Sequence, residues 1–510
     1  MKDCPSFYSS SLCLPVLVIL VPLVLVSAAV VVLDHTPFSS SSSSSSSRWF
    51  GLSSEDRGSM ELRPRLMGPH KDALVDSPSF NRSFSPIKQP EAIVAPDKEM
   101  KVAEDGKDEG TETTEKRLSR IEKLEAGLAR CRASIREAAM SGNHTSPLSD
   151  PDYVPTGPIY HNAHVFHRSY LEMERVFKIF VYPEGEPPLF HDGPCKSIYS
   201  TEGRFIHEME LGDRFRTMDP HEAHVYFLPF SVAMMVSFLY KPNSLDTTEI
   251  KRTAVDYVDT VARKYPFWNR SLGADHFMLS CHDWGPITSE AIPYLYNNSI
   301  RVLCNANSSE GFNPSKDASL PEINLKTGRT EGLIGGPSAS KRSILGFFAG
   351  GLHGPIRPVL LEHWKDKDQD LQIYEYLPRH VSYEKMMKSS KFCICPSGYE
   401  VASPRIVEAI YAACVPVIIS ESYVLPFSDV LDWSSFTVSV RVKEIPNLKK
   451  ILMGISQSQY IRLQRRVKQV QRHFEVSSPP KRYDLFNMIV HSVWLRRLNV
   501  RVQELDKYVT

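Results

Sequence analysis

From Tyr160 onward, short β-rich runs alternate with helical periodicity, and the series starts twice. No other feature of the 510 residues constrains the fold as tightly. Strand candidates of the first series lie at 176–182, 223–229, 276–281 and 301–304, with a helical pattern at 247–264 among them. Those of the second lie at 344–349, 371–376, 392–395, 415–419 and 436–440. Its helices are expected at 355–365, 383–389, 404–413, 447–455 and 458–474. The strands read as continuous Val/Ile/Phe runs, the pattern of a strand covered on both faces. Such alternation predicts parallel, doubly wound sheets. The α/β body therefore reads as two Rossmann-like domains, 155–337 and 338–505, parted by the Gly-rich loop 331–337 and facing a cleft.

Parallel sheets bind ligands beyond the carboxyl ends of their strands. In the second half, 395–420 reads as a loop, a short helix and a buried strand. Ser403 suits an N-cap and Pro404 the first helical position. A helix start attracts anions, Arg405 offers a forked cation for a diphosphate, and Glu408 shares its face and suits ribose hydroxyls. The other strand-end loop of this half carries Gly350, Gly351 and Arg357, which let backbone and a guanidinium approach a phosphate. In the first half, a strand delivers His282 and Asp283 to the same side of its sheet. Either suits the base that deprotonates an acceptor hydroxyl; Asp283 equally suits a cap of the following helix. Asp275 and His276 begin that strand and belong to the wrong edge.

The apolar run 12–33 carries no charged residue and is long enough to cross a bilayer. It follows a short tail, 1–11, and precedes a Ser/Pro-rich stem, 34–116, that lacks the periodicity of a fold. Sequons begin at Asn81, Asn143, Asn269, Asn297 and Asn307, all after the run. Together these predict a signal-anchored type II protein with a lumenal body. A neck helix at 117–140 carries Ile121, Leu124, Leu128, Cys131 and Ile135 on one stripe. It suits either a weak homo- or hetero-oligomer seam or a helix leaning on the body.

With 60 Lys and Arg against 59 Asp and Glu, the net charge of +1 gives no general attraction to nucleic acid. Nine cysteines are too few for a disulfide-built scaffold, though Cys281 and Cys304 follow successive strands and are placed to pair. Cys393 and Cys395 alternate on one strand and either pack or bridge elsewhere. His161, His164 and His167 drift around a helix without a completing carboxylate, so no metal site is expected there. Asp366, Asp368 and Asp370 form Asp-x-Asp units, but after a helix rather than at the end of a strand, and read as a solvated turn. The basic stretch from Arg462 to Arg472 reads as a surface helix.

Seven ordered blocks resemble the exostosin-type glycosyltransferases of family GT47 in the form plants use for cell-wall synthesis. They are Phe177-Lys-Ile-Phe-Val-Tyr-Pro183, Tyr199-Ser-Thr-Glu-Gly-Arg-Phe205, Ala223-His-Val-Tyr-Phe-Leu-Pro-Phe-Ser231 and Trp268-Asn-Arg-Ser-Leu-Gly-Ala-Asp-His-Phe277. The others are Phe347-Phe-Ala-Gly-Gly351, Phe392-Cys-Ile-Cys-Pro-Ser-Gly398 and Ser403-Pro-Arg-Ile-Val-Glu-Ala409. The resemblance implies a GT-B fold, a Golgi membrane anchor, a nucleotide-sugar donor and inversion at the anomeric carbon. It further implies chemistry without a bound metal or other cofactor, and a polysaccharide or glycan acceptor. Donor-site roles carry onto Arg405 and Glu408, then Gly350, Gly351 and Arg357. The competing expectation is a non-catalytic Golgi subunit that uses the same fold as a scaffold.

Overall fold

A computed structural model of the protein describes residues 119–503. The apolar run 12–33, the stem and the sequon at Asn81 lie outside the described residues. Eleven strands among the described residues form two sheets, each parallel throughout. The first sheet holds β1 (Ile179–Val181), β2 (Arg216–Thr217), β3 (Val225–Phe227), β4 (His276–Ser280), β5 (Ile300–Leu303) and β6 (Ala318–Ser319). Their order is β2-β1-β3-β4-β5-β6. The second holds β7 (Ile344–Ala349), β8 (Leu371–Tyr374), β9 (Ser390–Pro396), β10 (Val415–Ile419) and β11 (Val438–Ser439), in the order β11-β10-β9-β7-β8.

The continuous apolar runs are explained by what covers the first sheet. Val225, Phe227, Phe277, Leu279, Ile300 and Val302 enter one buried cluster, while the alternating Tyr226, Met278 and Leu303 enter a second. The first cluster continues into the second half through Phe347, Ile394 and Val417. The strand expected at 176–182 is trimmed because Val176 ends the helix Ala163–Val176. β2 and β6 have two residues each, too few to show a period.

The last helix, Leu485–Asn499, packs back on the first half. Trp494 is fully buried and donates to Ser169 Oγ at 3.2 Å, and Arg496 Nε reaches Asp317 O at 2.9 Å. The helix Arg120–Met140 leans on the body as well. Leu128 and Cys131 are fully buried, and Arg132 Nε donates to Leu498 O at 2.6 Å. Arg497 pairs with Glu125 at 2.5 Å. The apolar stripe of this helix is turned onto its own chain, as in the second of the two alternatives, a helix leaning on the body.

Among the described residues two disulfides fasten neighbouring strands, Cys281–Cys304 at the ends of β4 and β5 and Cys393–Cys414 between β9 and the start of β10. Cys395 remains a buried thiol. The Cys393–Cys414 pair spans 21 residues, a loop size for which closure entropy gives about 3 kcal/mol. Replacing both by alanine is expected to lower unfolding stability by about that amount, read from denaturant titration.

The other singled-out clusters have separate structural uses. His161 contacts Ser428 O, His164 contacts Ser141 and His167 contacts Ser146, so the three rings do not converge. Lys449 pairs with Asp368 at 2.6 Å and Asp370 at 2.9 Å, which ties the Asp-x-Asp turn to the helix Leu448–Met453. Asp275 binds Arg270 and His276, each at 2.8 Å, on the amino edge of β4. Asn143, Asn269 and Asn297 are exposed. Asn307 is 7 % exposed, and its side chain accepts from Ser309 N at 3.1 Å while its backbone bridges to Tyr423.

Candidate active site

In the second sheet the chain runs from β7 to β8 on one side, then returns to β9 on the other. β7 and β9 therefore flank the switch point where open α/β sheets bind ligands. The loops after these two strands dock glycine to glycine. Gly354 has φ +67°, and a Cβ there would lie 1.8 Å from Gly398 O. A Cβ on Gly350 would lie 2.7 Å from Arg405 Nη2. Gly350→Ala is thus expected to shift the guanidinium and lower donor turnover by about 100-fold with little change in Tm, measured by initial rates.

Arg405 is held by what surrounds it. Its Nη2 donates to Ala349 O at 2.9 Å, and its guanidinium lies 4.7 Å over the Phe348 ring. Its Nε and Nη1 are buried without a hydrogen-bond partner, as is Nε of Arg357. Burial, then the charge of Arg405, lowers the pKa of Arg357 to about 10, so it stays cationic. Two neighbouring cations with unused donors form a ready seat for a diphosphate. Glu408 accepts from Tyr383 at 3.0 Å and faces Asn324 Nδ2 of the first half at 3.5 Å.

The helix carrying Arg405 and Glu408 is Arg405–Tyr411, only seven residues long. Pro404 already has helical φ and ψ, and no side chain caps the start. Ser403, 6 % exposed, is packed under the loop instead of capping as expected. The guanidiniums, more than the helix end, are therefore the groups suited to an anion.

In the first half, Glu202 shapes the loop after β4. Its carboxylate is fully buried and accepts from Cys281 N at 2.7 Å, Ala233 N at 3.0 Å and Ser280 Oγ at 3.2 Å. This fixes where His282 and Asp283 emerge. Nδ1 of His282 accepts the Trp284 N–H at 3.0 Å, and its ring lies 4.6 Å from Tyr199. Burial lowers its pKa to about 4. With Nδ1 engaged, Nε2 carries the proton, and His282 has no lone pair to offer a hydroxyl. Asp283 does: burial raises its pKa to about 6, against a hydrogen bond from Tyr199.

Three further residues join these two sets. Asn305 Nδ2 donates to Glu400 at 2.6 Å and lies 3.5 Å from Asp283 O, while its Oδ1 is buried and unpartnered. Burial, then the charge of Asp283, raises Glu400 to about 7. Glu322, on the segment after β6, is held well above the usual carboxylate range by burial, then by the charges of Asp283 and Glu408. The sequence offers no periodic or motif signal for Glu322 or Asn305. Glu400 and Tyr199 stand inside recognisable stretches, but no spacing marks them as site residues. Among the described residues no three His, Cys, Asp or Glu side chains converge as a metal-binding group.

Residues 173–455 match the Exostosin GT47 domain. The chain is 64% identical over 387 residues to the probable glycosyltransferase At5g03795 of Arabidopsis thaliana, covering 76% of this chain and 74% of that one. It is 59% identical to the probable glycosyltransferase At3g07620 of the same plant, over 74% and 82% of the two chains. A probable glucuronoxylan glucuronosyltransferase of Arabidopsis thaliana is 28% identical over 58% of this chain and 67% of that one. The solved glycosyltransferase WaaG aligns at 11% identity over 69% and 93% of the two chains, with a TM-score of 0.25 that bears no weight. The domain match and the close plant relatives place this chain in the Exostosin GT47 family, and it is a glycosyltransferase.

Proposed function

We propose an inverting, GT-B-type transfer from a UDP-sugar to a cell-wall polysaccharide or glycan. The observation that carries this reading is the facing pair of sets. Arg357 and Arg405 hold unused buried donors on one wall, and Asp283 is a carboxylate near neutrality on the other. The guanidiniums hold the diphosphate and Glu408 the ribose. The acceptor oxygen attacks the anomeric carbon, its proton passes to Asp283, and the bond to the diphosphate breaks with inversion. Arg357 and Arg405 stabilise the charge on the departing diphosphate, which makes a resident metal unnecessary. Two disulfides, exposed Asn143, Asn269 and Asn297, and the apolar run 12–33 support a lumenal body anchored in the Golgi membrane.

The test is release of nucleoside diphosphate from a panel of nucleotide sugars by the full-length protein, with and without a chelator. The reading expects turnover that depends on acceptor and survives chelation. Turnover lost on chelation and restored by a divalent cation would remove the metal-free part of it. A second reading, a uronosyl donor, is favoured by the names of the more distant relatives, the glucuronoxylan glucuronosyltransferase among them.

A further inference from the structure

The helix Gln457–Val470 carries Arg462, Arg465, Arg466 and Lys468 and no acidic residue. From Arg441 to Arg472 the chain has nine Lys and Arg against one Glu, although its net charge is only +1. Lys449 is engaged by the Asp368 turn, Arg472 by Asp152 at 3.0 Å, and the one acid, Glu444, by Arg441 at 2.9 Å. Lys450, Arg462, Arg465 and Lys468 are exposed and form no ion pair with a described residue. Lys450, Arg462 and Arg466 line one groove of about 760 Å³ between this helix and the helix Leu448–Met453. Arg462 and Arg466 stand four residues apart on one face, where like charges repel unless an anion meets them. Nη1 of Arg466 donates to Ser435 O at 3.0 Å, which fixes its guanidinium. Half-buried Ile451, Ile455 and Leu463 give the groove an apolar wall. Gln459 Oε1 accepts from Ser456 N at 2.9 Å, which leaves its amide N–H groups to the groove. No lining residue belongs to the loops after β7 and β9. Ser434 and Thr437 of the lining precede β11, at the amino edge of a sheet whose carboxyl edge carries those loops.

We propose that this groove binds an anionic polysaccharide, a sugar chain bearing carboxylate or sulfate groups, apart from the transfer site. The guanidiniums of Arg462 and Arg466 match such groups by their fork, and Lys450 meets them as a point charge. The amides of Gln459 and Asn447 suit sugar hydroxyls, and the aliphatic wall suits the C–H faces of sugar rings. A recess with cations on two sides fits a chain lying within it, whereas a bilayer surface meets its cations on a flat or convex face. The choice of a sugar over another polyanion rests on the proposed transfer to a glycan; the attraction to anions does not. A long chain held here presents its other residues to the same molecule at a raised effective concentration.

The experiment measures equilibrium binding by the full-length protein in detergent at physiological ionic strength, where charges more than about 8 Å apart are largely screened. The probes are an oligogalacturonate, a sulfated glucan oligosaccharide and the neutral counterpart of each, beside poly-glutamate and phosphatidylserine–detergent micelles. At least one anionic sugar chain is expected to bind at least about tenfold tighter than its neutral counterpart, and the tighter of the two identifies the anionic group. Lys450→Gln combined with Arg462→Gln, both exposed, is expected to weaken that binding at least about tenfold with Tm unchanged. Arg465→Gln with Lys468→Gln removes the same charge from exposed neighbours outside the groove lining and is expected to cost less than about threefold. Diphosphate release on a short neutral acceptor should match the parent's in both double variants. No binding of either anionic chain, or equal losses in the two double variants, would overturn the groove. Poly-glutamate or the micelles bound as tightly, with the same dependence on Lys450 and Arg462, would overturn the choice of a sugar chain. A parent protein that binds the anionic chain but releases no diphosphate from any nucleotide sugar would support the groove and contradict the transfer reading.

Discussion

Arg405→Ala is expected to reduce nucleotide-sugar turnover by about 10³-fold, the loss seen when a preorganised transition-state donor is removed. Two of its guanidinium nitrogens are already buried and unpartnered, so the cost of orienting them is met before the substrate arrives. The side chain rests on Phe348 and Ala349 O, and its removal leaves the neighbouring β7 strand in place. Stability should therefore change far less than rate. Arg405→Lys supplies a charge without the fork and is expected to recover only a small part of the loss. Initial rates of diphosphate release and a thermal melt of each variant check both statements. An alanine variant that turns over nearly as fast as the parent would remove Arg405 from the donor site.

Asp283→Asn is expected to lower kcat by about 10³-fold with KM for the donor little changed, because a general base acts on the transition state rather than on donor binding. The pH dependence follows from the raised pKa. Asp283 must be ionised to accept a proton, so the parent's rate should rise with pH and level off above about 6. The Asn variant should lack that limb. Stability runs the other way. The folded carboxyl binds its proton more tightly than the unfolded one, so its contribution is full below about pH 4 and is lost as pH rises through about 6. Activity and Tm should therefore move in opposite directions between those values. A rate profile unchanged by the substitution would contradict the assignment.

The architecture was legible in the sequence because buried parallel strands leave unbroken β-branched and aromatic runs, and β7 and β10 have the bounds those runs predict. That Gly350, Gly351, Arg357, Arg405 and Glu408 would lie on one edge was legible for a related reason. Gly350, Gly351 and Arg357 follow one strand and Arg405 and Glu408 the next in the sheet, so local order alone puts them on one edge. The first-half residues facing it were less so. Glu322 follows a two-residue strand at the sheet edge, and its significance comes only from Asp283, Glu408, Arg357 and Arg405 meeting around it. The Cys393–Cys414 bridge was hidden similarly. A strand–helix–strand unit returns Cys414 beside the strand it left, with Pro416 in register with Cys393. Ser403 misled because its residue type suits a cap, while packing buried it and the helix began after Pro404.

Hydrogen–deuterium exchange of the full-length protein with and without saturating UDP tests the central claim most directly, since it locates the nucleotide without requiring the right sugar or acceptor. Protection is expected in peptides covering 349–357 and 397–408, with the surface helix Gln457–Val470 unchanged. Binding of UDP with protection elsewhere, and none in those two loops, would contradict the account.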